Sequence, residues 1–250
     1  VVAFRKGQRF VKRCESISRP RQEFRFDPLD DGKNTHAVSL TVDSPGTLEG
    51  LCLETIPRED LGPEEVEIRV EAAGINFRDL LKVLGVYPTE VSDSKLLGDE
   101  CAGVVVKTGK EVTSFSKGDR VAAIGLGCFK THLTLTSDRL IKLPDSMGMD
   151  LAAASLTNYM TVYYCLVVKA GIRSGDRVLI HSAAGGVGLA AIQMAKMKGA
   201  TVFATAGTPF KRDLLRSLGV NHVYHSRTLD FADRIYEDTN GEGIDIVLNS

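Results

Sequence analysis

Apolar and polar positions along the chain change period once, near residue 150. Before that point the repeat is short and two-fold. His36 to Val42 alternates, and Val66, Ile68 and Val70 alternate with Glu65, Glu67, Arg69 and Glu71, the mark of a half-buried strand. Residues 102–106, 121–124, 132–135 and 140–143 read as further strands, with turns at 107–110 and 117–120 between them. One stretch of this half, 76–84 (NFRDLLKVL), has helical spacing, with Asn76 placed to cap it. Many short strands separated by turn signals predict a compact β-rich barrel.

Beyond Asp150 the pattern lengthens. Residues 151–170 are helix-like, and strands at 177–181, 201–206, 221–224 and 244–248 then alternate with helices near 187–198, 209–218 and 228–238. That alternation predicts a parallel sheet covered by helices. A full dinucleotide-binding sheet has about six strands in two halves, so the four read here predict an incomplete one. The expected class is therefore α/β, with a barrel domain at 38–165, a doubly wound parallel sheet at 166–250, and a polar, basic extension at 1–37 that reads as a linker or edge element. The chain opens at Val1 and closes on Asn249-Ser250 directly after a buried-strand pattern, so a piece of something longer is expected.

The turn after the first of these later strands carries chemistry. The apolar run 178–180 meets Ser182-Ala-Ala-Gly-Gly-Val-Gly188, which opens onto a helix with apolar Leu189, Ile192, Met194, Ala195 and Met197. Gly185, Gly186 and Gly188 supply the tight turn, close backbone approach and close helix–strand contact of a pyrophosphate cradle, completed by Ala184 and Val187. The helix N-terminus beyond offers unpaired N–H groups and a positive dipole to an anion. The next strand ends without the acidic residue that holds an adenosine ribose 2′-hydroxyl, and runs instead into Ala206-Gly-Thr-Pro-Phe-Lys-Arg212. Small groups followed by two cations favour a 2′-phosphate, hence NADPH over NADH. Glycine also serves ordinary turns for its permissive dihedrals. Here strand, turn, helix and second strand come in the order and spacing a cofactor site needs, and the chain reads as a nicotinamide-dependent oxidoreductase.

Composition narrows the partners. A net charge of −1 gives no basis for attraction to nucleic acid or anionic membrane. No apolar run approaches the ~20 residues of a spanning helix, and the start VVAFRKGQRFVKRC lacks the apolar core of a signal peptide. The five cysteines (14, 52, 101, 128 and 165) are dispersed without a CxxC pair, which reads as reduced thiols, most of them small core residues, in a cytoplasmic protein.

Five runs, AAGINFRDLLKVLGVYP (72–88), LGDECAGVVV (97–106), HSAAGGVGLAAIQMAK (181–196), ATAGTPFKRDLLRSLGV (204–220) and HSRTLDFAD (225–233), resemble the enoyl reductase domains of modular type I polyketide synthases. These belong to the medium-chain dehydrogenase/reductase superfamily, and the runs span nearly the whole chain from about residue 40. The resemblance implies a GroES-like barrel followed by a Rossmann-type sheet. It implies NADPH-dependent reduction of the α,β double bond of an enoyl thioester on an acyl carrier protein, with the other domains of the same synthase as partners.

The resemblance also assigns residues. Zinc-dependent relatives carry a Cys and a His where this chain has Asn76 and Asp99, and the histidines (36, 132, 181, 222 and 225) show no ligand spacing, so no metal is expected. A developing enolate must then be stabilised by hydrogen bonds and oriented dipoles. Tyr87 matches the family tyrosine near the α carbon, a proton donor associated with S configuration at an α-methyl branch; the alternative is an aromatic packing of the loop on the barrel. Asn76 resembles the residue at the nicotinamide end, or is a helix cap. Thr161 resembles the threonine near the nicotinamide ribose, or bonds its own helix backbone. Thr208 belongs to the cofactor loop, and Lys211 and Arg227 are the candidates for the 2′-phosphate, or solvated surface charges. Phe210 stands where an acid is commoner, on an exposed helix start. His181 and Tyr163 are expected to serve packing. The family's Lys and Asp proton donors belong to segments beyond those present here. A free-standing quinone oxidoreductase of the same superfamily and a non-catalytic NADPH-binding module are the alternatives; the basic preamble from Val2 to Arg13 resembles the connection that precedes the reductase in synthases.

Overall fold

The computed structural model describes residues 2–5, 8–11, 35–88 and 95–249. Its residues fall into two units, Val1–Thr35 and His36–Ser250. In the first, β1 (Val2–Arg5) and β2 (Gln8–Val11) form an antiparallel hairpin.

The second unit begins with an antiparallel ribbon, β3 (His36–Val42) and β4 (Leu51–Pro57). A five-stranded antiparallel sheet follows, made of β5 (Glu65–Gly74), β6 (Glu100–Thr108), β7 (Arg120–Ile124), β8 (His132–Thr136) and β9 (Leu140–Lys142) in the order β8-β5-β6-β7-β9. Its core side carries Val66, Ile68, Cys101, Val105, Val121 and Leu133. Helix α1 (Phe77–Val83) leaves the end of β5. The alternation read along β5 breaks at one place. Glu67, expected on the wet face, is 1% exposed. Arg58, just past β4, covers it with a two-pronged ion pair (2.6 and 2.8 Å), which satisfies the buried carboxylate. Strand β4 has no alternation to read, because among the described residues it pairs with β3 alone and most of its residues stay exposed.

Helices α2 (Met149–Ala153) and α3 (Leu156–Val162) and a π-helical turn (Tyr163–Lys169) lead into the parallel sheet. That sheet consists of β10 (Arg177–Ile180), β11 (Thr201–Ala206), β12 (His222–His225) and β13 (Ile246–Leu248), ordered β12-β11-β10-β13. All three pairings are parallel. The connecting helices are α4 (Gly186–Met197), α5 (Pro209–Ser217) and α6 (Asp230–Asp238). Small residues let α4 lie close to the sheet: Gly188, Ala190, Ala191 and Ala195 are all buried. The order places the first strand beside the fourth, which creates a crevice at the C-terminal ends where the chain reverses direction. β13 is shorter than the pattern from 244 predicts, because Asp245 is spent on Arg177: its carboxylate accepts from the Arg177 backbone N–H (2.8 Å), and its own N–H donates to the Arg177 carbonyl (3.0 Å). Val162 and Leu166 join the core of this sheet, while Leu156 packs on Ala102, Ala122 and Ala152 of the barrel side. The α3 segment thus belongs to both cores.

Candidate active site

At the end of β10 the chain turns sharply. Ser182 adopts a positive φ of 50°, and Gly185 donates back to the Ser182 carbonyl at 2.8 Å. Gly185 then caps α4. A side chain at Gly188 is ruled out by its surroundings, since a Cβ there would lie 2.5 Å from the Ala183 Cα. Helix and turn therefore touch through backbone, and the first-turn N–H groups of α4, which have no intrahelical acceptor, stand over the sheet edge.

A cavity of about 190 Å³ opens in front of this turn, lined by Ser182, Ala184, Gly185, Ala206, Gly207, Thr208, Lys211, Ser226 and Arg227. Thr208 accepts from the Lys211 N–H at 3.3 Å and so caps α5. Of the two adjacent cations, Arg212 is committed: it donates to the Ala206 and Gly207 carbonyls at 3.2 and 3.0 Å. Among the described residues no carboxylate pairs with Lys211 or Arg227. Gly186 and Gly188 lie outside this lining, and a Cβ at Gly186 would meet the Asn158 side chain of α3 at 2.9 Å. Val187 follows in the first turn of α4. A neighbouring hollow of about 450 Å³ runs along the strand ends over His181, Ser182, Thr205, Ser226, Arg227, Val247 and Asn249. His181 shares a 2.9 Å hydrogen bond with Thr205 and meets the Phe231 ring edge-on at 5.5 Å, so it packs and lines the hollow together. Tyr163, expected to serve packing, is 53% exposed at the start of the π-helical turn. Phe210 is 79% exposed, at the start of α5.

The residues fit a dinucleotide. The close backbone approach at Gly188, the polar hollow in front of Gly185 and two cations without acid partners make an anion cradle of the right chemistry.

A third hollow, about 540 Å³, lies on the barrel side and is lined by Asn76, Phe77, Arg78, Asp99, Ile124, Gly125, Leu126, Arg139 and Thr157. Its polar groups form a chain of pairs. The Asp79 carboxylate accepts from the Asn76 backbone N–H (2.8 Å) at the start of α1, and from Gly98 (2.8 Å). The Asn76 amide donates to Glu100 (3.0 Å), whose other oxygen accepts the Thr157 N–H (2.8 Å). Glu100 is 1% exposed and ties the barrel to α3. Arg78 forms a forked ion pair with Asp99, one arm at 2.7 Å. That pairing, more than any other cause, holds the guanidinium pKa above its ordinary value. Tyr87 is half-buried beside it, with the Arg78 guanidinium 5.9 Å above its ring centre. Thr161 is exposed and gives its hydroxyl to the Thr157 carbonyl (2.7 Å), bonding its own helix.

Sequence reasoning missed Arg78, Glu100, Arg139 and Thr157. Asp99-Glu100 did leave a signal, two adjacent carboxylates leading into the apolar run CAGVVV, which burial obliges to find partners. Among the described residues no three His, Cys, Asp or Glu groups are arranged to hold a metal ion. Cys101 and Cys128 are buried, Cys165 is partly buried and Cys52 is exposed; Cys14 lies outside the described residues.

Family models described as "Alcohol dehydrogenase GroES-like domain" and "Zinc-binding dehydrogenase" match residues 62–172 and 186–250. The CurK enoyl reductase crystal structure superposes with a TM-score of 0.81 at 38% identity, over 86% of this chain and 67% of that one. The chain belongs to the polyketide synthase enoyl reductase family. The phthioceranic/hydroxyphthioceranic acid synthase of Mycobacterium tuberculosis is 42% identical over 250 residues, which is 99% of this chain and 12% of the synthase. The chain thus spans about an eighth of the length of the curated relatives it matches. Escherichia coli quinone oxidoreductase, solved in complex with NADPH, also matches, with a TM-score of 0.76 at 32% identity over 85% of this chain and 66% of that one. No helix among the described residues is long and apolar enough to cross a membrane.

Proposed function

We propose that this domain reduces the α,β double bond of an enoyl thioester, presented by an acyl carrier protein, at the expense of NADPH. The observation that carries the reading is the cavity that joins Ala184, Gly185 and Thr208 to Lys211 and Arg227. The turn residues 184–188 would hold the diphosphate, and the two cations the 2′-phosphate. NADPH, when bound, supplies the hydride that adds to the β carbon. The chain's own residues do the remainder. Asn76, whose amide is held by Glu100 in the barrel pocket, would stand at the nicotinamide end. Thr161, although it bonds its own helix in this structure, is retained as a candidate for the ribose. Tyr87 supplies a proton at the α carbon; a positioned donor of this kind is worth roughly 10²–10⁴-fold in rate. The partners would be the carrier protein and the other domains of one cytoplasmic synthase, with no role for nucleic acid or membrane.

A second reading, an NADPH-dependent quinone reductase, draws on the likeness to the Escherichia coli enzyme. One experiment separates them. The intact protein is titrated with NADPH by fluorescence and then assayed on crotonyl thioesters and on quinones. Thioester reduction is expected; turnover of quinones alone would move the assignment, and absence of NADPH binding would end both.

A further inference from the structure

Arg78 is the charged group of the barrel pocket that faces Tyr87. It lines the 540 Å³ hollow, its side chain is 37% exposed, and it is fixed from behind by Asp99, whose side chain is 8% exposed. The fork to Asp99 uses Nε and one terminal nitrogen. The guanidinium keeps further N–H groups outside that fork, and it stands 5.9 Å from the centre of the Tyr87 ring. The Tyr87 backbone is anchored too, its N–H donating to the Leu81 carbonyl at 3.2 Å.

We propose that Arg78 is a positioning residue for Tyr87: locked by Asp99, it donates to the phenol oxygen, so that the hydroxyl proton is left for the substrate. The inference rests on the enoyl reductase reading and gives that reading a second residue. A guanidinium has donors only, so in a hydrogen bond between the two the phenol oxygen is the acceptor. The tyrosine keeps its own proton uncommitted. In the step itself the proton moves from the phenol oxygen to the α carbon, which uses the enolate electron pair to form the new C–H bond. The O–H electron pair stays on oxygen, and the phenolate so formed lies against a fixed positive charge until solvent returns a proton. Lysine cannot reproduce the arrangement, because a point ammonium cannot hold Asp99 through a fork and reach the phenol together.

The test is a double-mutant cycle in the intact protein, assayed on a crotonyl thioester with NADPH. Tyr87→Phe should lower kcat by about 100-fold or more and Arg78→Ala by about 10- to 100-fold, each with KM little changed. The double variant should be no slower than Tyr87→Phe alone, since residues acting through one another are not additive. Arg78→Lys should fail to restore the rate. Full activity of Arg78→Ala, or losses that multiply in the double variant, would overturn the proposal. Should Arg78→Ala not fold, Asp99→Asn tests the same lock and should share the non-additivity with Tyr87→Phe. A wild-type protein that binds NADPH but leaves the thioester untouched defeats the functional reading instead. In that event the carbon-13 resonance of the Tyr87 Cζ decides the Arg78 proposal: a shift in Arg78→Lys supports the hydrogen bond, and an unmoved resonance rejects it.

Discussion

Around the glycine turn the groups that face the hollow are backbone amides, hydroxyls and two cations with no acid partner among the described residues, whereas in the barrel pocket Arg78, Asn76 and Glu100 are already tied to one another or to Asp99. The first arrangement awaits charge from outside. The second locks Arg78 against Asp99 and presents oriented dipoles, with Arg139 the lining cation that no carboxylate pairs among the described residues, an arrangement suited to polarising a neutral carbonyl. A dinucleotide brings phosphates; a thioester brings none to the reacting end.

Removing a tie in the barrel pocket should therefore cost stability first, and removing a cation from the nucleotide hollow should cost binding first. Glu100→Ala carries the largest expected effect. It strands the Asn76 amide and the Thr157 N–H, two half-buried donors, each at the lower end of the about 1–3 kcal/mol that a buried unpaired donor costs. Thermal and denaturant unfolding should show that loss, and Glu100→Gln, which keeps one acceptor, should recover part of it. A Glu100→Ala protein as stable as wild type would break the contrast between the two hollows. Next comes Gly188→Ala. Its Cβ would meet the Ala183 backbone at 2.5 Å, an overpacking worth about 1–3 kcal/mol. Here stability and NADPH affinity should fall together, because one backbone contact serves packing and cradle alike.

The two hollows were also unequally legible in the sequence. The cradle is contiguous, one strand end, one turn and one helix start, so its residues appear in a single run, and Lys211 follows at the next strand end. Ser226, Thr205 and Asn249 escaped notice although each lies at or just past a strand end; their only mark is position, which the order β12-β11-β10-β13 turns into one crevice. The barrel pocket draws on the β5–α1 junction, the start of β6, the turn before β9 and α3, and no local pattern links these pieces. Period-two alternation found β3 and β5 but not β4, and it placed Glu67 on the wrong face, since it could not see Arg58 folding over it.

Lys211→Ala sharpens the comparison from the nucleotide side. Charge-assisted hydrogen bonds contribute about 1.5–3 kcal/mol each, so NADPH should bind roughly 10- to 100-fold more weakly. NADH, lacking the 2′-phosphate, should bind as before, and unfolding should be unaffected because the Lys211 side chain holds no other element in place. Equal losses for both dinucleotides would assign Lys211 to the diphosphate instead.

The smallest effect is expected at the opposite end of the same sheet, and it tests whether stability and binding are separable within one strand. β12 sends Ser226 and Arg227 toward the crevice from its C-terminal end, while His222 and Tyr224 reach Asp238 of α6. The Tyr224 hydroxyl donates to Asp238 at 2.6 Å, and His222 stands 3.5 Å away. The tyrosine hydrogen bond, aided by His222, holds the Asp238 carboxyl below its usual 3.8. A carboxylate whose pKa is depressed by folding adds stability above its unfolded value, and that contribution is lost as pH falls through the lower, folded one. Asp238→Asn should therefore melt slightly below wild type at neutral pH, with the gap closing below about pH 4. Salt screening at this exposed site keeps the gap small. NADPH affinity at neutral pH should not change, because the pair lies away from the residues that line the crevice. A gap that persists undiminished in acid would mean that the asparagine disturbs packing rather than charge, and a fall in NADPH affinity would mean that the two ends of β12 are mechanically joined.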